Sequence, residues 1–117
     1  MKIIITGACG HIGSFLVENL IKIKNIKKAI LIDNMKTNKF NSLFKLKKKP
    51  NFSFYQRDLS IKNSLVNFKN VDIIVHCASM TDAANSFGIK KLMYKNNLGC
   101  MKTVLDYCIK NKTKLIH

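Results

Sequence analysis

A chain of 117 residues is enough for one domain with one core, and its 47% apolar content places it with globular rather than disordered sequences. No apolar run approaches the roughly 18 residues of a membrane span, and the three isoleucines after Lys2 are too few for a signal peptide's apolar region, so a cytoplasmic protein with no membrane partner is expected. The net charge of +15 comes almost entirely from lysine, with Arg57 the lone arginine; nucleic-acid readers favour arginine for bidentate contacts, so the charge reads as a solvated surface and no nucleic-acid partner is expected.

Lys2 to Thr6 opens the chain as a nearly all-Ile strand, the composition of a strand buried on both faces. It runs into Thr6-Gly7-Ala8-Cys9-Gly10-His11-Ile12-Gly13, and this turn opens into a helix from Ile12 to about Lys24 with Ile12, Phe15, Leu16, Leu20 and Ile23 as its apolar stripe. An apolar strand before the glycines and an amphipathic helix after them is the context of a dinucleotide-binding turn. Gly7 suits the tight turn, Gly10 leaves the backbone bare for a pyrophosphate, and Gly13 suits close packing of helix on strand. The helix N-terminus then offers unpaired N–H groups and a partial positive charge to the phosphates.

Ala29 to Asp33 is the second predicted strand. Asp33 stands at its end, where this kind of fold places a carboxylate for the adenosine ribose hydroxyls; the alternative is that it caps the turn with Asn34. A carboxylate here repels a 2′-phosphate, which favours NAD over NADP, although Lys36 and Lys39 lie just beyond and could hold such a phosphate. Phe40, Leu43, Phe44 and Leu46 suggest a short helix closed by Pro50, and Asn51 to Gln56 alternates as a third strand near a sheet edge. Ser60 is placed to cap a helix over about Ile61 to Phe68, with Asp58 before it as an acceptor for the adenine amino group or as a simple turn residue.

Val71 to Ala78 is the fourth strand, and its small end, Cys77-Ala78-Ser79, would let a cofactor pass close to the backbone. His76 reads as a packed strand residue. Met80 to Gly88 is a polar loop with Ser79, Thr81 and Asp82 as its polar candidates, and Lys90 to about Lys110 is the longest helix, with Asn96 and Asn97 on a side that ought to be buried. Thr113 to His117 begins a fifth strand. Cys9, Cys77, Cys100 and Cys108 show neither a C-x-x-C pair nor zinc-like spacing with the histidines, so reduced cysteines and no metal are expected. Strands alternating with helices predict an α/β doubly wound parallel sheet, a Rossmann fold, with strand order 3-2-1-4-5. The ligand crevice then falls where the order reverses, at the ends of strands 1 and 4, and Gly7 to Gly13, Asp33, Asp58 and Ala78 share that edge.

These residues resemble the extended short-chain dehydrogenase/reductases, specifically the NAD-dependent epimerase/dehydratase family and within it the nucleotide-sugar epimerases. The resemblance lies in Thr6-Gly7-x-x-Gly10-x-x-Gly13, Asp33-Asn34, Arg57-Asp58-Leu59, Val75-His76-Cys77-Ala78-Ser79 and Asn97-Leu98, in order along essentially the whole chain. It implies an NAD site in which Gly7, Gly10, His11, Ile12 and Gly13 line the pyrophosphate and Asp33 and Asn34 hold the ribose. Asp58 and Leu59 would frame the adenine, Cys77, Ala78 and Ser79 would run toward the nicotinamide, and Asn97 would support the active-site backbone. The family usually carries Gly then Thr shortly after that asparagine, where this chain has Cys100 and Met101, which puts close packing of the long helix in question. The family's chemistry also uses a Ser or Thr after the fifth strand and a Tyr-x-x-x-Lys pair, and no such pair exists here: Tyr55, Tyr94 and Tyr107 are followed four residues on by Leu59, Leu98 and Asn111. The resemblance therefore implies residues 1–117 as a partial NAD(P)-binding domain, without catalytic residues of its own and inactive alone. The rest of the sheet and the domain for a nucleotide-sugar substrate would lie elsewhere, and a homodimer would form through helices that this chain only begins. A non-catalytic nucleotide-binding or regulatory module is the alternative.

Overall fold

A computed structural model of the protein describes residues 1–20, 22–37, 51–81 and 86–117. Its elements in chain order are β1 (Lys2–Thr6), α1 (His11–Leu20), β2 (Lys28–Asp33), β3 (Phe52–Gln56), β4 (Ile73–His76), α2 (Ser86–Asn111) and β5 (Lys114–Ile116). The strands form one parallel sheet in the order β3-β2-β1-β4-β5, as the alternating pattern predicts. Ile4 of β1 stands beside Ile30 of β2 and Ile74 of β4. The order therefore reverses between β1 and β4, and both edges of the crevice at that point are made from nearly all-apolar central strands.

The sheet buries both faces, as its isoleucine-rich strands require. On one face Ile4, Ile30, Ile32 and Ile74 pack with Leu59, Leu65 and Phe68 and with Cys100, Val104 and Tyr107 of α2. On the other, Ile3, Ile5, Ala29 and Leu31 pack with Ala8, Val17 and Ile26. Cys100 sits inside the first cluster, and Gly99 one position earlier lies against Ser60, where an added Cβ would be 3.5 Å from the Ser60 Cα. The long helix therefore packs closely in spite of Cys100.

Several local expectations shift. Helix α1 ends at Leu20, and its buried positions are Gly13 and Val17, whereas Ile12, Phe15 and Ile23 are largely exposed. Contact of Gly13 with the Gly7 turn fixes the roll of the helix, and this overrides the stripe suggested by residue hydrophobicity alone. Residues 61–68 form successive turns in place of a helix. Their backbone bonds run from Ile61 to Asp58, Ser64 to Ile61, Val66 to Asn63 and Phe68 to Leu65, all over three residues, and Asn63 has a left-handed φ of 65°. Ser60 therefore caps no helix; instead its N–H donates to the Asp58 carboxylate at 2.9 Å and opens these turns. Helix α2 begins at Ser86, inside the predicted loop, and β4 and β5 are shorter than the runs that suggested them. The predicted short helix before Pro50, with Lys39, and the loop residue Asp82 lie outside the described residues.

Candidate functional site

The crevice is built from the turn between β1 and α1. Gly7 has φ +66°, and a Cβ there would lie 2.7 Å from the backbone of Cys77 and Ala78. A Cβ on Gly13 would lie 2.0 Å from the Gly7 carbonyl oxygen, so these two glycines are required by the fold itself. Gly10 is different. Its Cβ would meet a single atom, the Gly7 oxygen at 3.2 Å, and would otherwise point into open space. A Cβ at Gly10 would ask only a small shift of that one oxygen, so the fold presses far less for glycine here than at Gly7 and Gly13, and the bare backbone leaves room for a ligand against the turn. The turn closes with Gly10 N–H donating to the Gly7 carbonyl at 3.0 Å, and α1 then starts at His11, so the first N–H groups of the helix face the crevice without intrahelical acceptors. This cradle fits a dinucleotide pyrophosphate.

Asp33 closes β2 beside it. One carboxylate oxygen accepts from the Cys9 N–H at 3.0 Å and the other from the Met35 N–H at 2.9 Å. Two backbone donors therefore fix the carboxylate against the turn, and its remaining lone pairs stay available to hydroxyl donors. Asn34 accepts from the Lys36 N–H at 3.1 Å, and so shapes the turn after β2. At the end of β3, Asp58 Oδ1 accepts from the Ser60 N–H and hydroxyl, and Oδ2 lies 2.9 Å from the Lys36 ammonium. Burial pushes the pKa of this carboxyl up, but the bonds from Ser60 and Lys36 outweigh it and leave the group below the ordinary aspartate value. Leu59 is buried beneath it in the core.

Thr6 and His76, which sequence reasoning left out of the site, tie the two central strands together. Thr6 Oγ1 accepts from the N–H groups of Cys77 and Ala78, both at 3.2 Å, and lies 2.7 Å from His76 Nδ1. With both lone pairs of the hydroxyl taken, its proton goes to His76 Nδ1, which assigns the imidazole as neutral with its proton on Nε2. Burial, together with the charge of His117, stacked with ring centroids 5.4 Å apart, pushes the His76 imidazole down to about 4. A threonine immediately before the first glycine was the only signal for this clamp in the sequence.

Beyond Ala78 the crevice widens into a cavity of about 380 Å³ lined by His76, Ala78, Ser79, Tyr94, Asn97, Leu98, Met101 and His117. Asn97 holds its rim: Oδ1 accepts from the Met80 N–H at 2.7 Å and Nδ2 donates to the Met80 carbonyl at 3.1 Å. Asn96 is half-buried beside it and donates to Asn97 Oδ1 at 3.2 Å. The structure thus brings Gly7, Gly10, His11, Ile12, Gly13, Asp33, Asn34, Asp58, Cys77, Ala78, Ser79 and Asn97 to one side of the sheet, the ends of the strands and the turns that follow them. No disulfide joins the four cysteines, and burial pushes Cys77, Cys100 and Cys108 up, away from thiolate chemistry. Arg57 is engaged internally, with its guanidinium donating to the Ser64 carbonyl at 2.6 Å and lying over the Phe68 ring at 4.9 Å.

The sequence profile of the NAD dependent epimerase/dehydratase family matches residues 3–117. The chain belongs to the NAD-dependent epimerase/dehydratase family. NAD is the cofactor of this family, and the chain corresponds to the NAD-binding portion of its members. Among its relatives, a trifunctional UDP-glucose 4,6-dehydratase/UDP-4-keto-6-deoxy-D-glucose 3,5-epimerase/UDP-4-keto-L-rhamnose-reductase of Arabidopsis thaliana is 32% identical, over 92% of this chain and 17% of its own length. A dTDP-D-glucose 4,6-dehydratase of Dictyostelium discoideum is 32% identical over 97% of this chain and 27% of its own length. Among solved structures, a UDP-glucuronic acid 4-epimerase from Bacillus cereus in complex with NAD superposes with a TM-score of 0.82 at 27% identity, covering all of this chain and 39% of that one. The chain therefore spans between a sixth and two fifths of the length of these relatives. Among the described residues, no helix is long and apolar enough to cross a membrane, and no cluster of His, Cys, Asp or Glu is arranged to hold a metal.

Proposed function

We propose that this chain is the cofactor half of an NAD-dependent nucleotide-sugar epimerase or dehydratase working in the cytoplasm. The carrying observation is Gly10: a backbone left bare toward open space, between two glycines that the fold itself requires and beside a carboxylate fixed by two N–H groups. In this reading Gly7, Gly10, His11, Ile12 and Gly13 receive the pyrophosphate, and Asp33 with Asn34 receives the adenosine ribose. Asp58 and Leu59 flank the adenine, and Cys77, Ala78, Ser79 and Asn97 lead the dinucleotide into the cavity. Bound NAD would supply hydride exchange with a sugar carbon. The chain's own residues bind and orient it.

Residues 1–117 are read as part of a larger domain, in line with the small share of each relative that they cover. The substrate domain and the catalytic tyrosine and lysine belong to the remainder. Tyr94, Leu98, Met101, Leu105 and Ile109 recur at three- and four-residue steps along α2, and all but Met101 are largely exposed. Cover for this stripe, from the rest of the protein or from a second copy in a homodimer, is part of the same reading. Two measurements test it: titration of NADH fluorescence with the chain, expected to saturate at one site, and incubation of the intact protein with NAD and UDP- or dTDP-hexoses, expected to convert the sugar at C4. An intact protein that binds NADH but alters no nucleotide sugar would leave the cofactor assignment and remove the activity.

A further inference from the structure

We propose that the ion pair between Lys36 and Asp58 sets the preference of this chain for NAD over NADP, by holding a lysine of the β2 turn away from the position that a 2′-phosphate would occupy beside Asp33. The inference rests on the reading of Asp33 as the ribose carboxylate.

Lys36 leaves the chain immediately after a peptide N–H that touches Asp33. Met35 has a left-handed φ of 63°, its N–H lies 2.9 Å from Asp33 Oδ1, and the Lys36 N–H donates to Asn34 at 3.1 Å. Consecutive Cα atoms are about 3.8 Å apart, so the Lys36 side chain starts within reach of either strand end. It goes to β3: the ammonium lies 2.9 Å from Asp58 Oδ2. Within the pair, Asp58 is the fixed member. Its other oxygen takes both the N–H and the hydroxyl of Ser60, and its side chain is 21% exposed against 58% for Lys36. Lys36 is therefore the member that can swing, and Asp58 is what holds it.

A 2′-phosphate brings close to two negative charges next to Asp33. With Lys36 bound to Asp58, the three side chains together carry one net negative charge and the cation is engaged elsewhere. With Asp58 uncharged, the same lysine is free to meet the phosphate, and one residue then offsets the repulsion that Asp33 exerts. Charge pairs at this kind of exposure interact by the equivalent of a several-fold change in affinity, enough to tilt a choice between two otherwise identical cofactors.

The test is a double-substitution cycle read as the ratio of dissociation constants for NADH and NADPH, by nucleotide fluorescence, in the wild type, Asp58→Asn, Lys36→Met and the double variant. Any change in adenine contact falls on both nucleotides and cancels in the ratio. Asp58→Asn is expected to move the ratio about five- to tenfold toward NADPH, and the shift is expected to vanish when Lys36 is already Met. Equal shifts in both backgrounds would mean that Asp58 acts through its charge alone and would overturn the proposal while leaving the cofactor assignment standing. A wild type that binds neither nucleotide would overturn both.

Discussion

The two ends of the crevice are built on different principles. At the end proposed for adenosine, every described carboxylate is met by the protein's own donors: Asp33 by the N–H groups of Cys9 and Met35, Asp58 by Ser60 and Lys36. The geometry there is set before any ligand arrives. At the other end, β4 and α2 enclose an open cavity in which Tyr94 and Leu98 are 70% and 55% exposed, and the fixed polar groups are His76, held by Thr6, and Asn97, held by Met80. The first end draws its fixed groups from the described residues of this chain. The second presents apolar wall that other residues of the protein or its assembly are expected to cover.

The contrast can be broken most severely at the turn that joins the two ends. Gly13→Ala places a Cβ 2.0 Å from the Gly7 oxygen, a backbone atom that cannot move aside, and a loss of more than about 3 kcal/mol is expected, seen as loss of cooperative thermal unfolding. A variant that melts like the wild type would contradict the close contact of α1 with the turn.

Acid strikes the other end first. The value of about 4 for His76 in the folded chain lies below its ordinary 6.5, so the unfolded chain takes up the proton more readily between those values. Stability is expected to fall by about 3 kcal/mol as pH drops from 6.5 to 4, and to level off below that as far as this group is concerned. Denaturant titrations at half-unit steps measure the slope, and His76→Phe should flatten it; an unchanged slope would place the buried proton elsewhere. Thr6→Val, which leaves the Cys77 and Ala78 N–H groups and His76 Nδ1 without the hydroxyl, should cost about 2 kcal/mol in the same assay. Asn97→Ala comes next, at about 1 kcal/mol, because the Met80 groups that it releases are only part-buried and can turn to water. Hydrogen exchange of the Met80 amide should quicken in that variant, and unchanged protection would show that Asn97 does not hold the rim.

The differing legibility of these regions has a physical basis. The central place of β1, β2 and β4 follows from their isoleucine-rich runs, which suit burial on both faces, and the order follows from the alternation of strands with helices and right-handed crossovers. The glycine turn was legible because backbone geometry restricts Gly7 and Gly13 to one residue type. Hydrophobicity alone misplaces the buried face of α1, because Phe15 and Ile12 are more hydrophobic than Gly13, whereas the close approach that sets the helix roll needs the smaller residue. The composition of residues 61–68 permits a helix, but the left-handed Asn63 and the burial of Leu65 and Phe68 in the core go with successive turns instead. Thr6, Lys36 and His76 were invisible as partners because each acts across a sequence separation, 70 residues between Thr6 and His76, that no local pattern carries.

The most direct test of the account compares Gly10→Ala with the wild type by calorimetric titration with NAD, alongside thermal unfolding. A Cβ at Gly10 meets one protein atom at 3.2 Å and otherwise fills the space assigned to the pyrophosphate. The account predicts a melting transition within about 1 kcal/mol of the wild type together with at least a tenfold loss of NAD affinity. Undiminished affinity in a folded Gly10→Ala would contradict it, because the bare backbone at Gly10 would then face no ligand.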